Sequence, residues 1–110
     1  NDDNETILSY GVMGGQYQPV GQTHVLQNIL DYKLNIQQAI DLPRTFALDG
    51  ILKVEKSLNN QIIDKLKNIG HDVNIVENGI GGGQCIKIDR DIGVMIGGSD
   101  PRKDGMALGY

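Results

Sequence analysis

The sequence predicts a small domain of the α/β or α+β class. Three observations support this prediction: apolar and polar residues alternate in some segments, apolar residues recur every three or four positions in others, and the segments follow the order β-α-α-β-α-β-β-β. With 110 residues, the chain has the length of about one domain. We therefore treat residues 1–110 as a single domain.

The first predicted strand runs from Ile7 to Met13, and the pair Gly14-Gly15 ends it because glycine permits positive φ. A helix is predicted over 20–32, with Thr23 as its N-cap. Its apolar face consists of Val25, Leu26, Ile29 and Leu30.

A second short helix is capped by Asn35, and its buried face is predicted to be Ile36, Ala39 and Ile40. Ile51 to Glu55 alternates apolar and polar residues, which indicates a half-buried strand. A third helix covers about 60–69, capped by Asn59 or Asn60 and ended by Gly70. Its predicted buried stripe is Ile62, Ile63, Leu66 and Ile69.

The last part of the chain is predicted to be mostly β-structure. A strand over 71–76 is followed by a glycine loop over 78–83, and residues 85–89 and 92–96 form a hairpin. The tail from Gly97 contains Asp100-Pro101-Arg102, in which an arginine near carboxylates favours a salt-bridged loop.

Composition excludes several classes of partner. The net charge of −4 and pI near 4.9 repel a phosphate backbone, so we expect no nucleic-acid partner. No apolar run approaches the roughly 18 residues that span a bilayer, so no membrane contact is expected. A core with one Phe and no Trp favours an oligomer or a piece of a larger body.

Most candidate chemical motifs point to structural roles. The run Gly79–Gln84 is neither a dinucleotide fingerprint nor a phosphate-binding loop. His24 and His71 lie in no metal-ligand spacing, and we expect no cofactor and no metal. Cys85, the single cysteine, cannot form an internal disulfide and is predicted to be a buried apolar residue in a strand.

Gly14-Gly15 differs from these motifs because it directly follows a strand. Successive backbone N–H groups in such a turn can converge on one anion, including the tetrahedral intermediate of acyl transfer. Most glycine pairs in this position are simple turns, and chemistry alone leaves both readings open.

Three stretches resemble one known family. They are Gly11-Val12-Met13-Gly14-Gly15-Gln16-Tyr17-Gln18-Pro19 with His24-Val25-Leu26-Gln27-Asn28, then Gln38-Ala39-Ile40-Asp41-Leu42-Pro43-Arg44 with Leu52-Lys53-Val54-Glu55, and Gly82-Gly83-Gln84-Cys85-Ile86 with Gly97-Gly98-Ser99-Asp100-Pro101-Arg102-Lys103-Asp104-Gly105 and Gly109-Tyr110. In this order they resemble the C-terminal part of the small subunit of the γ-glutamyltransferase (γ-glutamyltranspeptidase) family.

The resemblance implies an α+β chain that is part of an N-terminal-nucleophile hydrolase, an αββα sandwich. It also implies a self-cleaving precursor whose new N-terminal threonine transfers or hydrolyses γ-glutamyl groups, for example from glutathione. The oxyanion-hole glycines fall on Gly14 and Gly15. The family often has Pro-Gly-Gly-Ser, whereas this chain has Met13-Gly14-Gly15-Gln16, which leaves the substrate open.

The family's threonine nucleophile has no counterpart here, since Asn1 is not a nucleophile and Thr6 is not in a Thr-Thr-His-type motif. We expect a C-terminal fragment that is inactive alone and needs the remainder of the enzyme and its γ-glutamyl substrate. One alternative is a non-catalytic domain that self-associates as a homo-oligomer. Another is a small-molecule-binding domain that uses the glycine loop 79–83. The compartment, cytoplasmic or periplasmic and extracellular, stays open.

Overall fold

A computed structural model describes residues 2–109. Asn1 and Tyr110, which the sequence comparison used, lie outside the described residues. The elements in chain order are β1 (Leu8–Met13), a 3-10 turn (Gly15–Tyr17), α1 (Gln18–Leu30), α2 (Ile36–Asp41), β2 (Thr45–Leu48), β3 (Ile51–Glu55), α3 (Asn60–Asn68), β4 (Asp72–Val76), β5 (Gly82–Asp89) and β6 (Val94–Ser99). They form two compact units, one comprising residues up to Asp41 and from Gly81 onward, the other Leu42–Ile80.

The first unit contains an antiparallel sheet in the order β1-β5-β6. Helices α1 and α2 cover one face of this sheet. Gly98 of β6 allows the close packing, because a Cβ there would lie 3.1 Å from Ile40 and 3.3 Å from Ile36. The core of this unit consists of Val12, Tyr17, Val25, Ile36, Ala39, Ile40 and Cys85.

The C-terminal tail crosses the opposite face of the same sheet. A Cβ on Gly82 would lie 2.6 Å from Cγ of Lys103, and one on Gly97 would lie 2.8 Å from Cβ of Ala107. Between these points, Gly105 packs against Gln84 and Ser99. The tail therefore rests on positions where the sheet has no side chain, and its path depends on those glycines.

The second unit has a sheet in the order β2-β3-β4. Strands β2 and β3 are antiparallel and are joined at Asp49-Gly50, whose φ angles are 52° and 81°, the combination that a tight hairpin turn requires. Strands β3 and β4 are parallel, and α3 provides the crossover between them. Val54 and Ile63 are its buried apolar residues besides Ile80.

The carboxylate of Glu55 joins the two ends of the second unit. Its oxygens accept hydrogen bonds from the backbone N–H of Arg44 at 2.9 Å and of Ile80 at 2.7 Å. The Arg44 guanidinium in turn donates to the Ile80 carbonyl at 2.9 Å. Both side chains are buried, so each charge is compensated inside the unit.

Several sequence predictions are confirmed. The strand Ile51–Glu55 has the predicted bounds. Asn35 accepts a hydrogen bond from the Gln38 N–H at 2.8 Å, and Asn59 caps α3 through the Gln61 N–H at 2.8 Å. Gly70 has φ 99° just after α3, as a C-terminal glycine should.

Other predictions are wrong in instructive ways. Helix α1 begins at Gln18, so Thr23 lies inside it and donates to the Pro19 carbonyl at 2.9 Å instead of capping. Proline is tolerated in the first turn, where its missing N–H would have no partner anyway. Within the predicted stripe of α3, Ile63 is buried but Ile62 and Ile69 are exposed, because a three-stranded sheet covers only a narrow strip of helix.

We predict that Gly21→Ala lowers the free energy of unfolding by about 1–3 kcal/mol through overpacking. The new Cβ would lie 2.5 Å from the Tyr17 ring and 2.7 Å from Val12, which outweighs the roughly 1 kcal/mol gain in helix propensity. Urea unfolding measures the effect. Gly11→Ala is the control, since its Cβ meets nothing within 4 Å, and an equal loss there would contradict the explanation.

Candidate active site

The candidate site is the loop that leads from β1 into α1. Gly14 has φ 139° and ψ 27°, and Gly15 has φ 58°, so both adopt backbone conformations that favour glycine. The Gly14 carbonyl accepts a hydrogen bond from the Tyr17 N–H at 3.1 Å. This bond closes the 3-10 turn that continues directly into α1.

The two glycine N–H groups are available to a ligand. Among residues 2–109, neither the Gly14 nor the Gly15 N–H has a hydrogen-bond acceptor. The first N–H groups of a helical segment lack internal partners by construction. Two adjacent backbone donors at this position can therefore bind an anion or a polarised carbonyl oxygen.

Close packing against the start of β5 fixes this loop. A Cβ on Gly14 would lie 3.1 Å from Cα of Gly81 and 3.3 Å from Tyr17. Gly81 has φ 67°, and a Cβ there would lie 2.5 Å from the Met13 carbonyl oxygen. The Tyr17 ring is buried beneath both glycines, being 2% exposed. Larger side chains at these glycines would force the loop apart.

Gly81 and Tyr17 are parts of the site that the sequence interpretation missed. The glycine run was noticed but assigned as a loop over 78–83. In the structure β5 begins at Gly82, and Gly82 and Gly83 are buried. The signal was present in the run itself, since consecutive glycines in a strand often mark a close approach of two backbones.

Asp100 holds the start of β5 in place. Its Oδ2 accepts the Gly83 N–H at 2.7 Å, while Oδ1 accepts the backbone N–H of Arg102 at 3.0 Å and its guanidinium at 3.1 Å. The Arg102 guanidinium also donates to the Ile40 carbonyl at 3.0 Å. The Asp100 side chain is fully buried. The predicted salt-bridged tail is confirmed, and it anchors the strand beside the glycine loop.

An open groove of about 760 Å³ adjoins Gly15. Its lining contains uncharged side chains only: Tyr10, Gln16, Gln18, Pro19, Gln22, Thr23 and Leu26. Amide and hydroxyl groups can donate or accept hydrogen bonds, so the groove presents a neutral polar surface next to the two free N–H groups.

The remaining predicted residues lie elsewhere. His24 is half-buried in α1 and His71 is exposed before β4. Cys85 is buried in β5, and burial raises the pKa of its thiol, as expected for an unreactive apolar residue. Within residues 2–109, no three His, Cys, Asp or Glu side chains form a group that could hold a metal ion. No helix in that range has the length and apolarity to cross a membrane.

The profile of the gamma-glutamyltranspeptidase family matches residues 1–110. The chain belongs to the gamma-glutamyltranspeptidase family. The resemblance drawn from the sequence motifs is therefore confirmed, and the chain corresponds to the small-subunit region of the family.

Relatives of known sequence agree with this assignment. The chain is 39% identical to the glutathione hydrolase-like YwrD proenzyme of Bacillus subtilis over 93% of its own length and 21% of that protein. It is 32% identical to the glutathione hydrolase proenzyme of Escherichia coli over 98% of its length and 19% of that protein. The chain thus spans about a fifth of the length of the curated relatives it matches.

Solved structures confirm the predicted fold class. The gamma-glutamyltranspeptidase from Pseudomonas nitroreducens superposes with a TM-score of 0.87 at 22% identity, covering 98% of this chain and 57% of that one. The cephalosporin acylase from Bacillus halodurans gives a TM-score of 0.82 at 37% identity, covering 92% and 20%. The chain is an α+β part of an N-terminal-nucleophile hydrolase fold.

We predict that Asp100→Asn lowers the free energy of unfolding by about 3 kcal/mol, because it leaves Arg102 without its buried counter-charge. The variant also turns an amide toward a backbone N–H. Thermal or urea unfolding measures the loss. Asp104→Asn, which changes an exposed carboxylate nearby, should stay within about 0.5 kcal/mol; similar values for the two variants would contradict the anchoring role of Asp100.

Proposed function

We propose that this chain is the C-terminal segment of the small subunit of a γ-glutamyltransferase-like enzyme, and that Gly14 and Gly15 form its oxyanion hole. The complete enzyme transfers or hydrolyses γ-glutamyl groups, as from glutathione. The observation that carries the proposal is the pair of adjacent backbone N–H groups without acceptors among residues 2–109, in a chain of this family.

The chemistry requires donors in this position. When a nucleophile attacks the amide carbon, the carbonyl oxygen becomes a tetrahedral oxyanion, and donors already oriented toward it lower the barrier. The contacts of Gly14 with Gly81 and Tyr17 support such a role, because they hold the loop in one conformation before substrate binds. Collapse of the intermediate expels the amine and leaves the acyl group on the nucleophile.

In this proposal the nucleophile, a threonine freed by self-cleavage, comes from a part of the enzyme outside these 110 residues. The names of the relatives from Bacillus subtilis and Escherichia coli, both glutathione hydrolase proenzymes or similar to them, support a precursor that requires processing. The isolated chain should be inactive, because an oxyanion hole alone supplies only a small part of the rate.

We predict that Gly15→Pro in the complete enzyme lowers kcat by about 10²–10³-fold, the cost of losing one oxyanion donor. Proline removes the N–H, and its φ near −65° differs from the 58° of Gly15. Steady-state kinetics with a γ-glutamyl nitroanilide measures the loss.

The matched control is Gly15→Asn, which retains the N–H and tolerates positive φ better than other side chains. Its Cβ meets nothing within 4 Å, so kcat should fall only a few-fold. Unchanged turnover of the Gly15→Pro enzyme would exclude this glycine from the oxyanion hole.

A second candidate function is self-association without catalysis. Its support is strand β6 and the turn before it, where Ile92 and Met95 are each 70% exposed and Val94 and Ile96 are more than 40% exposed. Strand β6 pairs only with β5 in the described part of the chain, and such an edge can pair with a second copy.

If this second function holds, the chain alone should dimerise at micromolar concentrations, and Met95→Lys should weaken the dimer about tenfold, because a charge on an edge strand opposes pairing. Light scattering over a concentration series measures the mass. Ile69→Lys, which replaces an exposed residue of the other unit, is the control. A monomer at every concentration contradicts this candidate.

A further inference from the structure

Lys103 lies on the face of the first sheet that the helices leave uncovered. Its carbon chain runs over Gly82, where a Cβ would lie 2.6 Å from Cγ, 3.4 Å from Cδ and 3.1 Å from Cε of the lysine. Because three carbons of the chain follow the surface of one glycine, the backbone of β5 defines the path of this side chain. The missing side chain at position 82 makes that path possible.

This position is next to the proposed oxyanion hole. Gly82 pairs directly with Met13 in the antiparallel ladder, and directly opposed residues have Cβ positions about 5 Å apart. Met13 precedes Gly14, and Gly81 contacts Gly14. Lys103 is therefore one residue pair away from the glycine loop, in a segment that is 62 or more residues distant from most other contacts of the tail only in sequence.

The local charges make Lys103 distinctive. Arg102 is paired with Asp100 at 3.1 Å, and Arg90 with Glu5 at 3.0 Å. Lys103 has no ion-pair partner among residues 2–109, and its side chain is exposed. The groove on the other side of Gly15 carries no charged side chain. The chain as a whole has a net charge of −4, so a cation at this place is not part of a general basic surface.

We propose that Lys103 is a specificity-determining residue that favours acyl donors carrying a carboxylate close to the reacting amide. The proposal rests on the proposed function of the Gly14-Gly15 loop. An ammonium group binds a carboxylate through charge-assisted hydrogen bonds, and its compact charge does not demand a single orientation. The carboxylate can belong to the acyl part of the donor or to its leaving group, and these two sources are separable by substrate design.

The test uses the complete enzyme and three chromogenic donors. The first is a γ-glutamyl nitroanilide with a free α-carboxylate, the second has an α-carboxamide instead, and the third adds a carboxylate to the nitroanilide ring of the first. The variants are Lys103→Met, Lys103→Arg and the control Lys87→Met, which removes an exposed lysine from the far part of β5. The value of kcat/KM is measured for every pair of enzyme and donor.

We expect Lys103→Met to lower kcat/KM about tenfold for a donor whose carboxylate the lysine binds, the size typical of a hydrogen bond to a charged group. If the acyl part carries that carboxylate, the carboxamide donor loses less than about twofold. If the leaving group carries it, only the ring-carboxylate donor suffers the full loss. Lys103→Arg should restore most of the rate, and Lys87→Met should match the wild-type enzyme.

An equal loss with all three donors would assign Lys103 a structural role and overturn the proposal. Unchanged values with all three would overturn it as well. Absence of wild-type turnover with every donor would instead reject the proposed function, and the role of Lys103 with it. The two failures are thus distinguishable from one set of measurements.

Discussion

The buried carboxylate of Asp100 receives three hydrogen bonds, from the Gly83 N–H at 2.7 Å and from the backbone and guanidinium of Arg102 at 3.0 and 3.1 Å. A carboxylate without solvent is costly unless every lone pair has a donor, so this arrangement forms completely or not at all. It fixes the first residues of β5 and the turn from which the C-terminal tail departs. Both the glycine contact beside Gly14 and the path of Lys103 depend on that constraint.

The proposed oxyanion hole uses glycine for two separate reasons. Gly14 and Gly15 need positive φ, whereas Gly81 and Gly82 need the absence of a Cβ where another chain segment passes. Two backbones can then approach closely enough for Tyr17 to close the space beneath them. Such a site is rigid without metal or disulfide, which suits a site that must present its donors before an oxyanion develops.

The second unit repeats the logic of a buried carboxylate. Glu55 accepts the N–H groups of Arg44 and Ile80, residues near the two ends of that unit. A small three-stranded sheet buries few apolar side chains, and closing its ends through one carboxylate compensates in part for the thin core. The exposed Ile62 and Ile69 of α3 show how little of the helix that sheet covers.

The sequence by itself determined the elements whose signals are local. Strand β3 followed from alternation, and the starts of α2 and α3 followed from Asn35 and Asn59, whose caps reach only two or three residues along the chain. The hairpin of β2 and β3 also had a local signal, Asp49-Gly50, which the interpretation overlooked. Motif resemblance identified the family and pointed to Gly14 and Gly15. Tertiary structure alone decided that Gly81 supports Gly14, that Thr23 lies inside α1, and that Lys103 rests on Gly82. These contacts join residues that strand pairing and register bring together, and no local pattern specifies which distant segment will pass over a given glycine.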